Sequence, residues 1–149
     1  MPSALFRLFV AAFFSLWGSA ALAGSTTWQT ADASLYHALG EKPGIAAIVE
    51  DMLINIANDE RIVQRFADTD IARLQRLLNE QFCVLSGGPC IYTGASMRES
   101  HHGKNISEAQ FNALVENLID ALKTNDVPLS ARNRLLGVLA ALHGDIVDR

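Results

Sequence analysis

Two adjacent histidines, His101 and His102, lie in a stretch unlike the rest of the chain, S-G-G-P-C-I-Y-T-G-A-S-M-R-E-S-H-H-G-K-N-I-S from Ser86 to Ser107. Gly87, Gly88 and Pro89 stop a helix and turn the chain, Gly94 allows a second bend, and Gly103 breaks the backbone again. Long apolar-patterned segments flank this stretch on both sides. A histidine on a short segment between two such helices has what a metal or haem iron asks of its ligand: a neutral imidazole, an apolar shell and a rigid support. Adjacent helical residues point about 100° apart, so the two imidazoles cannot serve one site together. Position alone favours reading His101 as a capping or surface histidine before a glycine turn, with His102 as its solvent-facing neighbour.

Cys83 and Cys90 are the only cysteines. Their spacing is neither the C-x-x-C of a redox catalyst nor a zinc knuckle. In an oxidising compartment they form one disulfide across the Gly-Gly-Pro turn, closing a short loop; the alternative is two independent buried thiols. The first residues bear on the compartment. Arg7 precedes the apolar run L-F-V-A-A-F-F-S-L-W, and Ala21-Leu22-Ala23 matches a signal-peptidase site. The run is short for a membrane span, which takes about 20 residues. The expectation is a signal peptide over 1–23, export to a periplasm-like compartment, a flexible leader over 24–33, and no stable membrane span after cleavage.

The elements that must hold the histidines read as helices. The chain has 149 residues, half of them apolar, enough for one domain with a sizeable core. Its formal charge of −4 argues against a nucleic-acid partner, which asks for a basic face. Residues 34–40 give one or two turns closed by Gly40, with His37 facing solvent. Pro43 suits the first turn of the next helix. Ile45, Ile48, Val49, Met52, Leu53 and Ile56 then recur at steps of three and four, the mark of one buried face. Asn58-Asp59 caps a short helix with Ile62, Val63 and Phe66. Asp68, Thr69 and Asp70 cap a longer one carrying Leu74, Leu77, Leu78, Phe82 and Leu85. Ser107 and Gln110 form a capping box for a helix through Leu122. Ser130 is read as the cap of the last helix, with Leu135, Leu136, Leu139, Leu142 and Ile146 inside it and His143 favoured by charge at its C-terminal end. No segment alternates with period two, so the fold class is all-α.

The strings S-L-Y-x-x-L-G at 34–40, V-E-D at 49–51, Phe66 and G-G-P-x-x-Y-T-G-x-x-M-x-x-x-H from 87 to 101 resemble the group I truncated haemoglobins. The likeness runs in register from about Ser34 to Phe111 and continues more loosely to the end, so that 34–149 is expected to be one globin domain. It implies a two-over-two helical sandwich, a globin-like fold, with haem b held by a proximal histidine at the position of His101. It further implies that Phe66 packs on the haem face, that Tyr92 lies near a haem propionate, and that Met97, Ile106, Phe111 and Leu114 line the proximal side.

The distal side departs from the family pattern. A helix-B pair of phenylalanine and tyrosine is here Met52-Leu53, and the glutamine common further on is Leu78, with Leu74 one turn earlier. Leucine cannot donate a hydrogen bond to a polarised ligand, a bond worth roughly 1.5–3 kcal/mol. Gln81 is the one polar side chain near enough to substitute. The expected function is binding of a diatomic gas (O2, NO or CO) at the haem iron, with the reductase, if one serves it, unknown. Nitric-oxide dioxygenation or peroxide chemistry at the same haem, and a haem-free interaction module whose leucines fill the distal space, are the alternatives.

Overall fold

The computed structural model describes residues 32–148, six α-helices with two short 3-10 turns. The expected signal peptide and residues 24–31 of the expected leader lie outside the described residues. The leader's last two residues, Asp32 and Ala33, are tied in: the Asp32 carboxylate accepts hydrogen bonds from the Ser34 amide and from Arg134, each at 3.0 Å.

Helix α1 (Ser34–Ala38) ends at Leu39, and Gly40 with φ 79° turns the chain into α2 (Glu41–Ala57). A 3-10 turn, Val63–Phe66, leads to α3 (Ile71–Leu85), whose N-cap Asp70 accepts from the Arg73 amide. The Gly/His stretch holds a short α4 (Met97–His101), followed by α5 (Glu108–Thr124) and α6 (Leu129–Ala140). A 3-10 turn, His143–Asp145, precedes the last described residues. Among the described residues there is no strand, only an isolated parallel bridge between Ile106 and Val147. The all-α globin fold expected from the sequence is the one found.

The apolar stripes become the core as their periodicity requires. Ile45, Ile48, Val49, Met52 and Ile56 of α2 are buried, with Phe82 and Cys83 of α3, Leu118, Ala121 and Leu122 of α5, and Ala131 and Leu135 of α6. Helix α2 packs on both α3 and α5, while α1 packs on α6 and α2. Two inter-helix bonds fix the α2–α5 contact: Asn55 donates to the Asn117 carbonyl, and Asn125 donates to the Asp51 carboxylate.

Three sequence expectations need correction. The short helix is a 3-10 turn, Val63–Phe66, with Ile62 as its N-cap and no side-chain cap bond, so Asn58-Asp59 does not cap it. Helix α6 starts at Leu129 with Pro128 as its N-cap and no side-chain cap bond, so Ser130 lies inside the first turn. The fixed proline φ prepares that start without a capping hydroxyl. The helix also ends at Ala140, so His143 and Ile146 lie beyond it.

Candidate haem-binding site

The Gly-Gly-Pro turn is fastened at both ends, and this places α4. Cys83 and Cys90 are joined by a disulfide, with Cα atoms 5.9 Å apart, linking α3 to the turn. Gly88 is required by packing: a Cβ there would lie 2.5 Å from the Tyr36 ring and 2.6 Å from the Cys83 sulfur. Gly87 has φ 85°, and its Cβ would lie 2.6 Å from the Asp32 carbonyl oxygen. The Tyr36 amide donates to the Ser86 carbonyl at 3.0 Å, so α1 closes over this turn. Further on, the Glu80 carboxylate accepts from the Thr93 amide at 2.9 Å and its hydroxyl at 2.8 Å, and it pairs with Arg76 at 2.6 Å. The hydrogen bonds from Thr93, followed by that from Arg76, hold the Glu80 carboxyl below its ordinary value of 4.5.

Tyr92 lies half-buried in the same loop, and its hydroxyl donates to the Ala95 carbonyl at 3.0 Å. Burial first, and the nearby Glu80 charge second, push its phenol above the ordinary value, partly offset by Arg73. Ser96 then caps α4 in a full capping box with Glu99. The Ser-x-x-Glu signal for that box was present in the sequence.

His101 ends α4, half-buried. Its Nδ1 lies 2.9 Å from the Met97 carbonyl oxygen. That oxygen only accepts, so Nδ1 carries a hydrogen, and in the neutral imidazole the lone pair is then on Nε2. The Ser100 hydroxyl lies 3.1 Å from the same Nδ1. A backbone carbonyl fixing the tautomer and ring plane is the usual support of a metal-bound imidazole. His102 is exposed.

His101 lines one cleft with Phe66, Ile106, Phe111 and Leu114, four of the apolar residues expected around it. The lining is completed by Ile62, Arg65, Gln110 and Ile146. Of these, Ile146 was placed inside α6 by its spacing, Gln110 was read only as half of the α5 capping box, and Arg65 gave no signal beyond its neighbours. Met97 stands one turn before His101, half-buried, and its sulfur accepts from the Gln81 amide at 3.3 Å. Gln81 is thus turned toward α4.

Leu53, Leu74 and Leu78 are half-buried and outside this cleft; Leu53 and Leu78 pack against the core. Four of the residues expected around His101 thus share its cleft, while Met97, Tyr92 and the three leucines are not among its lining residues.

Residues 34–148 match the family described as bacterial-like globin. The chain is 32% identical over 114 residues to the group 1 truncated hemoglobin of Mycolicibacterium paratuberculosis, covering 76% of this chain and 84% of that one. This chain belongs to the group I truncated globins. The truncated hemoglobin of Tetrahymena pyriformis in its Fe(III) form superimposes with a TM-score of 0.75 at 29% identity, covering 77% of this chain and 98% of that one. The 2/2 hemoglobin of a Synechococcus species, solved with covalently attached heme, has a TM-score of 0.71 at 24% identity over 77% of this chain and 98% of that one, a likeness of fold.

Iron-bearing haem is the cofactor of this truncated globin, and the residues present fit it. A single imidazole, held through Nδ1, lines a cleft walled by two phenylalanines, three isoleucines and Leu114. Haem would supply an iron that a single imidazole nitrogen can bond. The truncated globin would hold it by His101 and pack it with Phe66, Ile106, Phe111 and Leu114.

Proposed function

We propose that this truncated globin is an exported haem b protein that binds a diatomic gas at iron bonded by His101. The observation that carries this reading is the His101 imidazole, fixed through Nδ1 to the Met97 carbonyl at 2.9 Å in an apolar cleft. Fixing the ring in advance spares the ordering cost when Nε2 bonds the metal. Export rests on the N-terminal apolar run ending in Ala-Leu-Ala, and the Cys83–Cys90 bridge suits an oxidising compartment.

The gas side is proposed to be hydrocarbon. Single substitutions in the solved Tetrahymena chains replace one tyrosine and two glutamines, and those three positions have the same spacing as Leu53, Leu74 and Leu78 here. None of the three leucines donates a hydrogen bond. A ligand that gains negative charge on binding, as O2 does, finds no partner there, whereas CO loses little. The same lack of a donor or an acid–base group leaves nitric-oxide dioxygenation and peroxide cleavage without support from these side chains.

The test is reconstitution of the mature protein with haemin, for wild type, His101→Ala and His102→Ala. The wild type and the His102 variant should show the same Soret band, and the His101 variant a weak or altered one. Equal spectra for wild type and His101→Ala would remove His101 as ligand. Intact-mass measurement of a periplasmic fraction checks export: the expected chain starts at Gly24, and a cytosolic protein retaining Met1 would refute it.

A further inference from the structure

Residues 143–148, beyond α6, gather around the residues that surround His101. Asp145 pairs with Arg98 of α4 at 2.6 Å. The His143 ring nitrogen Nε2 lies 2.9 Å from the Glu108 carboxylate at the start of α5, and the His143 ring meets the Phe111 ring edge-on at 4.8 Å. Ile146 lines the His101 cleft. Val147 is buried and bridges Ile106, and the Asp148 amide donates to the Ile106 carbonyl at 3.0 Å. Every one of these partners lies on α4, on the first turn of α5, or on the link between them.

We propose that residues 143–148 form a strap that positions the His101 helix and holds the cofactor from the His101 side. The proposal rests on the haem reading given above. The physical need is plain. Helix α4 has five residues, too few to be stable alone, since one helical turn fixes several dihedrals for one hydrogen bond. Its own capping box secures only its start. The imidazole stands at its last residue. Beyond it the Lys104 amide donates to the His101 carbonyl and Arg65 donates to the Lys104 carbonyl, and the strap adds the Asp145 ion pair with Arg98 and the Asp148 backbone bond to Ile106.

Each strap residue has a separate part. Asp145 draws the outer face of α4 toward the C-terminus through Arg98. Ile146 lines the cleft together with Phe111 and Leu114, so the strap is also part of its wall. Val147 and Asp148 extend the Ile106 backbone as a second short strand would, which fixes the link on which the cleft closes. Asp145, Arg98 and Ile146 are positioning residues: they touch neither Nδ1 nor Nε2 of His101.

The test uses the full mature chain with Asp145→Ala, Ile146→Ala, and the charge exchange Arg98→Asp with Asp145→Arg. Three readouts are taken: amide hydrogen exchange of apoprotein, loss of haem to excess apomyoglobin, and the iron–histidine stretching band of the ferrous protein by resonance Raman. Asp145→Ala should raise exchange at the α4 amides severalfold while α2, α5 and α6 keep their protection. Asp145→Ala and Ile146→Ala should each speed haem loss about tenfold and shift or broaden the iron–histidine band, and the charge exchange should restore the wild-type band and rate. Unchanged α4 exchange in the Asp145 variant overturns the strap, whether or not haem binds. Exchange raised evenly over all helices, with faster haem loss but an unmoved band, overturns it as well, because that is general loss of stability. A wild type that takes up no haem sinks the haem reading alone and leaves the exchange result to decide the strap.

Discussion

His101 Nδ1 and the Met97 carbonyl oxygen stand 2.9 Å apart, one turn back along the same short helix. The sulfur of that same Met97 accepts from Gln81 on α3 at 3.3 Å. The backbone of Met97 thus sets the imidazole, while its side chain ties the imidazole's helix to the helix that carries Leu74 and Leu78. Helices α3 and α4 thus meet through one residue.

Leu53→Tyr should place a hydroxyl donor where the chain offers hydrocarbon. O2 release should slow by about tenfold, which corresponds to roughly 1.4 kcal/mol. Stopped-flow displacement of O2 by CO measures it. A wild type already as slow as the tyrosine variant would mean that another group donates, and Gln81→Leu would then identify it.

Breaking the Cys83–Cys90 bridge should lower the unfolding free energy by about 2 kcal/mol, the entropy of closing so short a loop in the unfolded chain. Urea melts of oxidised and reduced protein give the difference. Coincident melts would show that the Tyr36 and Thr93 contacts alone hold the turn.

Gly88→Ala should destabilise the fold by about 1–3 kcal/mol, the usual cost of overpacking. The added methyl would enter the Tyr36 ring and the Cys83 sulfur, at 2.5 Å and 2.6 Å. Combining it with Tyr36→Ala should cost less than the sum of the two single changes. Strict additivity in that cycle would mean that the ring does not meet the new methyl.

Glu80 gives a pH dependence with a definite sign. Its carboxyl is held below its ordinary value of 4.5 chiefly by the Thr93 hydrogen bonds. A lowered folded-state value means that the unfolded chain binds the proton first, so the stabilisation is whole above that ordinary value and is lost as pH falls through the lower folded one. Wild type and Glu80→Gln should therefore differ most in stability near neutrality and converge in acid. Curves that run parallel from neutral pH into that acid range would exclude Glu80 as the group responsible.

The sequence carried the fold and the grouping of Phe66, Ile106, Phe111 and Leu114 with His101 in one cleft, for reasons visible in particular residues. Ile45, Ile48, Val49 and Met52 keep helical spacing because one face of α2 meets both α3 and α5, and Ser107 with Gln110 announces α5 by local hydrogen bonding alone. The Gly-Gly-Pro string was legible because Tyr36 and Asp32 leave no room for a Cβ at Gly88 and Gly87. The end of α6 was not legible. Leu142 and Ile146 continue the leucine spacing, yet the chain leaves the helix after Ala140 to reach α4 and Ile106. Long-range partners such as Arg98 for Asp145 leave no periodic trace. His143 was read as a helix end for the same reason, and it pairs instead with Glu108 of α5.

The central claim, that His101 bonds the iron, is tested most directly by the ferrous spectrum of His101→Gly with and without added imidazole. Glycine removes the ring and leaves a space of its own shape beside Phe111 and Ile106. Without imidazole the variant should lose the five-coordinate ferrous spectrum of the wild type and its iron–histidine stretching band. With imidazole both should return. A His101→Gly protein that keeps the wild-type spectrum and band without imidazole would contradict the account.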